Sequence, residues 1–182
     1  MDRLTAGGQA INTMLAPREG ASIFEWTGMV PTEDQRFMDL AIAQAAAAAD
    51  MGEVPVGAVV VHEGVVISQA HNRREIDADP TAHAELIAMR DAAQVLGDWR
   101  LEDCTVYVTL EPCAMCAGLM VNARVARCVF AAPDPRGGFL GTLADLSSHP
   151  VLNHRFEVTS GVRADESADL LRSFFRRVRA KK

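Results

Sequence analysis

The chain is short of the features that mark several large classes of protein. It has four cysteines in 182 residues, too few for the disulfide framework of a secreted scaffold. No apolar run approaches the roughly 18 residues that span a bilayer. The N-terminal stretch lacks the apolar centre of a signal peptide and carries acids that a transit peptide avoids. Basic residues are in the minority and the net charge is −6, which taken alone argues against a nucleic-acid partner. A second Cys-x-x-Cys, or the His-x₃-His that a structural zinc finger needs, is missing, as is any internal repeat. What is there is globular: 49% of the residues are hydrophobic, and the length suits one domain with a real core.

The charge is unevenly spread. Residues 172–182 hold six of the eighteen basic residues and no acid, which leaves twelve basic against twenty-four acidic residues in the rest. Such a block reads either as a phosphate-contacting surface or as a helix end whose cations complement the helix dipole.

Two short stretches carry the chemistry. His83-Ala84-Glu85 is followed about thirty residues later by Pro112-Cys113-Ala114-Met115-Cys116. One imidazole and two thiolates suit Zn²⁺, and three protein ligands leave the fourth tetrahedral position to water, the mark of a catalytic rather than a structural zinc. Glu85, two residues from His83, is free to handle that water's protons. A Cys-x-x-Cys alone reads equally as a redox pair, half a finger or two packed thiols, but none of these calls for His-Ala-Glu upstream. The combination is the signature of zinc nucleobase deaminases. Cys104 and Cys128 fall in strand-like apolar runs and read as inert core thiols, so a reducing, cytoplasmic setting is expected.

The remaining pattern alternates helix and strand. Residues 1–30 show no sustained periodicity and read as a flexible extension, with the domain proper spanning 31–182. Thr32 and Gln35 form a capping box that opens an alanine-rich helix ending at Gly52, with seven alanines between Ala41 and Ala49 that permit close packing on a sheet. Val54 to Val61 and Val65 to Ala70 read as an antiparallel pair around the Glu63-Gly64 turn. A helix is expected over Thr81–Leu96, stopped by Gly97, with His83 and Glu85 in its first turn. A strand follows over Thr105–Leu110, then a helix opened by Pro112, whose N-terminal end favours thiolate at Cys113. Arg127–Ala131 reads as a strand, Leu140–Leu146 as a short helix, Phe156–Val158 as a last strand, and Ala164–Arg179 as a terminal helix. Of Phe174 and Phe175, at least one belongs to the core, and Trp99 and Met115 read as packing residues. The class is α/β with a mixed sheet.

Several motifs together resemble the cytidine deaminase superfamily, and within it the bacterial tRNA adenosine deaminases. They are Glu53-Val54-Pro55-Val56-Gly57-Ala58-Val59, His71-Asn72-Arg73, Asp79 through Glu85, Tyr107 through Gly118, and His154 through Phe175. The resemblance covers about residues 32–180. It implies a three-layer α/β/α fold around a five-stranded mixed sheet, a homodimer, and conversion of adenosine to inosine at wobble position 34 in a tRNA anticodon stem-loop. It implies one Zn²⁺ held by His83, Cys113 and Cys116, with Glu85 as proton shuttle. Asn72 and the Ala84 backbone are implied at the target base, and Asp134 at the neighbouring ribose. Arg136 stands where the family more often has lysine, keeping the charge with a different grip on phosphate. Phe139-Leu140 is bulkier than the family's residues there, and the extension has no counterpart.

Two other readings remain open. A deaminase of free guanine, cytosine or a nucleotide would share the zinc site, and only the basic tail and Phe-Phe helix favour RNA over it. A riboflavin-pathway deaminase would space its cysteines more widely. A non-catalytic RNA-binding subunit with a structural zinc would have no use for Glu85.

Overall fold

The computed structural model describes residues 31–180. The expected extension over 1–30 and the last two lysines of the basic tail lie outside the described residues. The elements are α1 (Glu33–Asp50), β1 (Gly57–His62), β2 (Val65–His71), α2 (Ala84–Leu96), β3 (Cys104–Leu110), α3 (Ala114–Asn122), β4 (Arg127–Ala132), β5 (Glu157–Ser160) and α4 (Ala164–Ala180). The sheet runs β2-β1-β3-β4-β5. β1 is antiparallel to β2 and β3, and β3, β4 and β5 are parallel. The expected five-stranded mixed sheet is therefore present. Its hairpin turns through Glu63 and Gly64, both at positive φ, as a two-residue turn matched to strand twist requires.

Helices cover both faces. α2 and α3 pack on one, over Ala58, Val60, Val106, Val108, Cys128 and Phe130. α1 packs on the other, over Val59, Val61, Tyr107, Val129 and Ala131, and α4 lies beside it against β4 and β3. The alanine run explains how close α1 comes: Ala41, Ala45 and Ala48 are fully buried. A Cβ on Gly57 would sit 2.1 Å from the Ala41 carbonyl oxygen and 2.5 Å from the Ala45 nitrogen, so the strand itself must be bare there. The capping box forms as read, Gln35 N–H donating to Thr32 Oγ1 at 3.2 Å and Thr32 N–H to Gln35 Oε1 at 2.9 Å. Arg127 then ties α1 to the sheet, reaching Asp34 at 2.9 and 2.7 Å and Thr159 at 2.8 Å.

Three readings change. α2 begins at Ala84 instead of Thr81, because the preceding residues spend their amides on a turn: Thr81 N–H donates to Asp79 Oδ1 at 2.7 Å and His83 N–H to the Thr81 carbonyl at 2.7 Å. The short helix over 140–146 does not form. Leu140 and Thr142 donate their N–H groups to the Glu111 carboxylate rather than to carbonyls one turn back, and only an isolated bridge between Leu140 and Asp145 results. Trp99 is not a packing residue but 54% exposed, with the Arg100 guanidinium 4.3 Å from its ring centroid. Phe174 is buried and Phe175 exposed, as the split reading of that pair allows. Among the described residues no helix is long and apolar enough to cross a membrane.

Candidate active site

His83 and Cys113 occupy equivalent places. Each is the N-cap of its helix, α2 or α3, with extended backbone and no side-chain capping bond. A side chain at an N-cap normally turns back to satisfy the free N–H groups of the first turn. Imidazole and thiol do not, and both project into the gap between the two helix tips. Cys116, one turn into α3, is fully buried beneath them. His83 Nδ1 lies 3.6 Å from both Cys113 Sγ and Cys116 Sγ. The candidate ligand atoms of the three residues fall within 4.8 Å of one another, so the donor set fits a small divalent ion with tetrahedral preference.

The electrostatics follow from crowding. Cys113 is the acidic thiol of the pair, held down to about 3 by the hydrogen bond from Cys116, with His83 adding to the effect. Cys116, as the donor and the deeper group, is pushed upward. The His83 ring is raised by its bond to Cys113. Glu85, in the first turn of α2, is 4% exposed, and burial pushes its carboxyl up. A carboxyl so raised can hold a proton closer to neutral pH than an exposed one.

These groups open into a cavity of about 170 Å³ lined by Val54, Val56, Asn72, Arg74, His83, Glu85, Leu110, Glu111, Cys113 and Asp134. Five of the residues singled out in the sequence thus share one wall-to-wall space, with Cys116 under its floor. Ala84 is buried in the core, and its N–H, at the first position of α2, has no partner within the helix. Asp134 is half-buried, its Oδ1 accepting the Arg136 N–H at 2.9 Å. Arg136 itself is exposed and not among the lining residues.

Two buried acids that the sequence did not single out hold the cavity's sides. Glu53, fully buried, accepts from Asn72 Nδ2 at 2.8 Å and from Ile76 N–H at 2.8 Å. Glu111, 2% exposed, accepts the N–H groups of Asp134, Leu140 and Thr142 at 3.1, 3.0 and 3.0 Å, and the Thr142 hydroxyl. Burial alone would raise the Glu111 carboxyl, but these donors outweigh it and hold it below its ordinary value. Arg74, exposed at the rim, is the cation among the lining residues. A signal for both acids did exist: each is flanked by valine, leucine or proline in an apolar stretch, where an ionised carboxylate survives only with several donors.

The chain belongs to the MafB19-like deaminase family, whose model matches residues 32–179. The narrower kinship is with tRNA-specific adenosine deaminases. That of Bacillus subtilis is 49% identical over 151 residues, covering 83% of this chain and 94% of its own length. That of Agrobacterium fabrum is 44% identical over 147 residues, covering 81% and 97%. A solved structure from studies of A-to-I editing by tRNA:A34 deaminases superposes with a TM-score of 0.72 at 43% identity, covering 75% of this chain and 99% of the other. A guanine deaminase from Bacillus subtilis superposes with a TM-score of 0.54 at 32% identity, covering 68% and 82%.

Proposed function

We propose that this protein hydrolytically deaminates adenosine to inosine at wobble position 34 of tRNA, through a zinc site made by His83, Cys113 and Cys116. The observation that carries the reading is a three-donor cluster and a buried carboxyl facing one open cavity, in a chain 49% identical to the tRNA-specific adenosine deaminase of Bacillus subtilis along 94% of that protein's length. Zinc held by these ligands supplies Lewis acidity that brings the pKa of water from 15.7 towards about 7. Glu85 does the proton work. Its carboxylate takes a proton from the attacking water and delivers it to the ring nitrogen beside carbon 6. The water oxygen bonds to carbon 6, and a second transfer through Glu85 carries the proton still on that oxygen to the exocyclic amine, so that the carbon–nitrogen bond breaks, ammonia leaves and the carbonyl of inosine remains.

Asn72, held by Glu53, is the candidate contact to the base, together with the Ala84 N–H. Asp134 is the candidate contact to the adjoining ribose, and Arg136 reaches outward toward phosphate. A base inside a duplex cannot enter a cavity of this kind, so a splayed base in a loop is the natural substrate. Arg172, Arg176, Arg177 and Arg179 are all exposed on α4 and suit an RNA backbone. The domain that does this is residues 31–182, with 1–30 as an extension. Self-association as a homodimer is part of the reading, supported by the apolar surface of Leu86, Trp99 and Leu119 on the α2–α3 side. A cytoplasmic setting fits the free core thiols Cys104 and Cys128.

The second reading, deamination of a free base, is favoured by the fold shared with guanine deaminase. The test is direct. The zinc-loaded protein is incubated separately with an adenosine-34 anticodon stem-loop, guanine and cytosine. Inosine from the RNA supports the first reading, and base turnover with untouched RNA sinks it. Glu85→Ala should keep its zinc and lose turnover by about 10²–10⁴-fold; near-normal activity in that variant refutes the shuttle.

A further inference from the structure

Loop 133–142, which brings Asp134 to the cavity, bends around one carboxylate. Glu111 is the last residue before Pro112 and Cys113, and its own N–H is bonded to the Ala132 carbonyl at 2.8 Å. Its two oxygens receive four donors from a loop that is 23 to 31 residues away in sequence. A fifth tie, Phe139 N–H to the Pro112 carbonyl at 2.9 Å, binds the same loop to the segment that leads into α3. The fit leaves no room for a side chain: a Cβ on Gly138 would stand 2.2 Å from Glu111 Oε2. The first of the four donors is the N–H of Asp134, whose carboxylate lines the cavity.

We propose that Glu111 is a positioning residue that sets Asp134 at the nucleotide pocket by clasping loop 133–142 to the entrance of α3. It takes no part in proton transfer, and it acts through Asp134; the inference therefore rests on the role given to Asp134 above. An ionised carboxylate suits the place because it only accepts, and every neighbour it meets in the loop is a donor. Glutamine there would turn an NH₂ toward at least one N–H, leaving both without a partner and loosening the loop.

The test uses the full zinc-loaded chain and the adenosine-34 stem-loop. Glu111→Gln should raise KM by about tenfold, the order expected when one buried donor loses its partner. Its zinc content should be unchanged and kcat should stay within about threefold. Amides of residues 134–142 should exchange with deuterium faster, while those of α2 do not. In an Asp134→Ala background the same substitution should change KM by less than about twofold, because two changes in one chain of contacts do not add. If Glu111→Gln does not fold, Thr142→Val, which removes one donor and keeps the carboxylate, provides the same readouts with smaller shifts. Unchanged exchange in the loop, or a KM penalty that persists in full beside Asp134→Ala, overturns the inference. A wild-type KM for Asp134→Ala alone is a different failure: it overturns the role of Asp134, and the inference with it.

Discussion

The side of the cavity that carries His83, Cys113 and Cys116 stands on two helix tips, whereas the sides that carry Asn72 and Asp134 stand on loops. On the metal side the chain places each donor by local geometry: an N-cap for His83, an N-cap for Cys113, and a position one turn later for Cys116. On the loop sides it relies on two buried acids, Glu53 and Glu111, each bonded to residues 19 to 31 positions away. His83 and Cys113 are each fixed by the first backbone bond of a helix, their carbonyls accepting the Ile87 and Ala117 N–H groups at 3.0 and 2.8 Å. A loop is only as rigid as the contacts that pin it. On the proposed reading the reacting centre thus sits on the helix ends, and the groups proposed to meet the nucleotide sit on the part whose shape a few polar bonds decide.

That contrast can be broken at several levels. The largest effect belongs to the metal side: His83→Ala should yield protein that metal analysis finds free of zinc and that makes no inosine, with the sheet intact by circular dichroism. Retained zinc would mean that the cluster is not the ligand set. Glu53→Gln should act next most strongly and on the other side. It replaces an acceptor-only group by one that can face the Asn72 amide either way round and leave a buried donor unpaired, so KM for the stem-loop should rise by about ten- to a hundredfold with zinc retained. A loss of zinc in that variant would show that the two sides are not separate. The smallest effect is expected from Thr32→Ala, which touches neither side. Losing the capping box should cost about 1 kcal/mol of stability in denaturant titration, with KM and kcat unchanged. A kinetic defect there would show that α1, behind the sheet, sets the cavity as well.

Much of this is legible in short stretches of the sequence. The capping box at Thr32 and Gln35, the alanine face of α1 and the Glu63-Gly64 turn all follow from neighbours no more than four residues apart. So does the His-x-Glu and Cys-x-x-Cys chemistry, since each half is a spacing along one helix end. Leu140–Leu146 misled for the opposite reason. Its apolar spacing suits a helix, but two of its amides are claimed by Glu111 from a distant strand end, a partner that no local window contains. Glu53 was hidden in the same way. It stands in a motif matched as a string, while its work is to hold Asn72 across the fold. Arg136 shows a third kind of limit: its neighbour Asp134 reaches the cavity, and it does not.

By itself the sequence determined the order and kind of nearly every element, and pointed to His83, Glu85, Cys113 and Cys116, which the fold gathers in one cluster, because both are written in short-range periodicity and spacing. Only the tertiary structure decided that two carboxylates far apart in the chain would hold the residues on the cavity's sides. The reason is physical: a buried acid must gather its donors from whatever the fold brings near, and those donors come from segments that meet only when the sheet has closed against its helices.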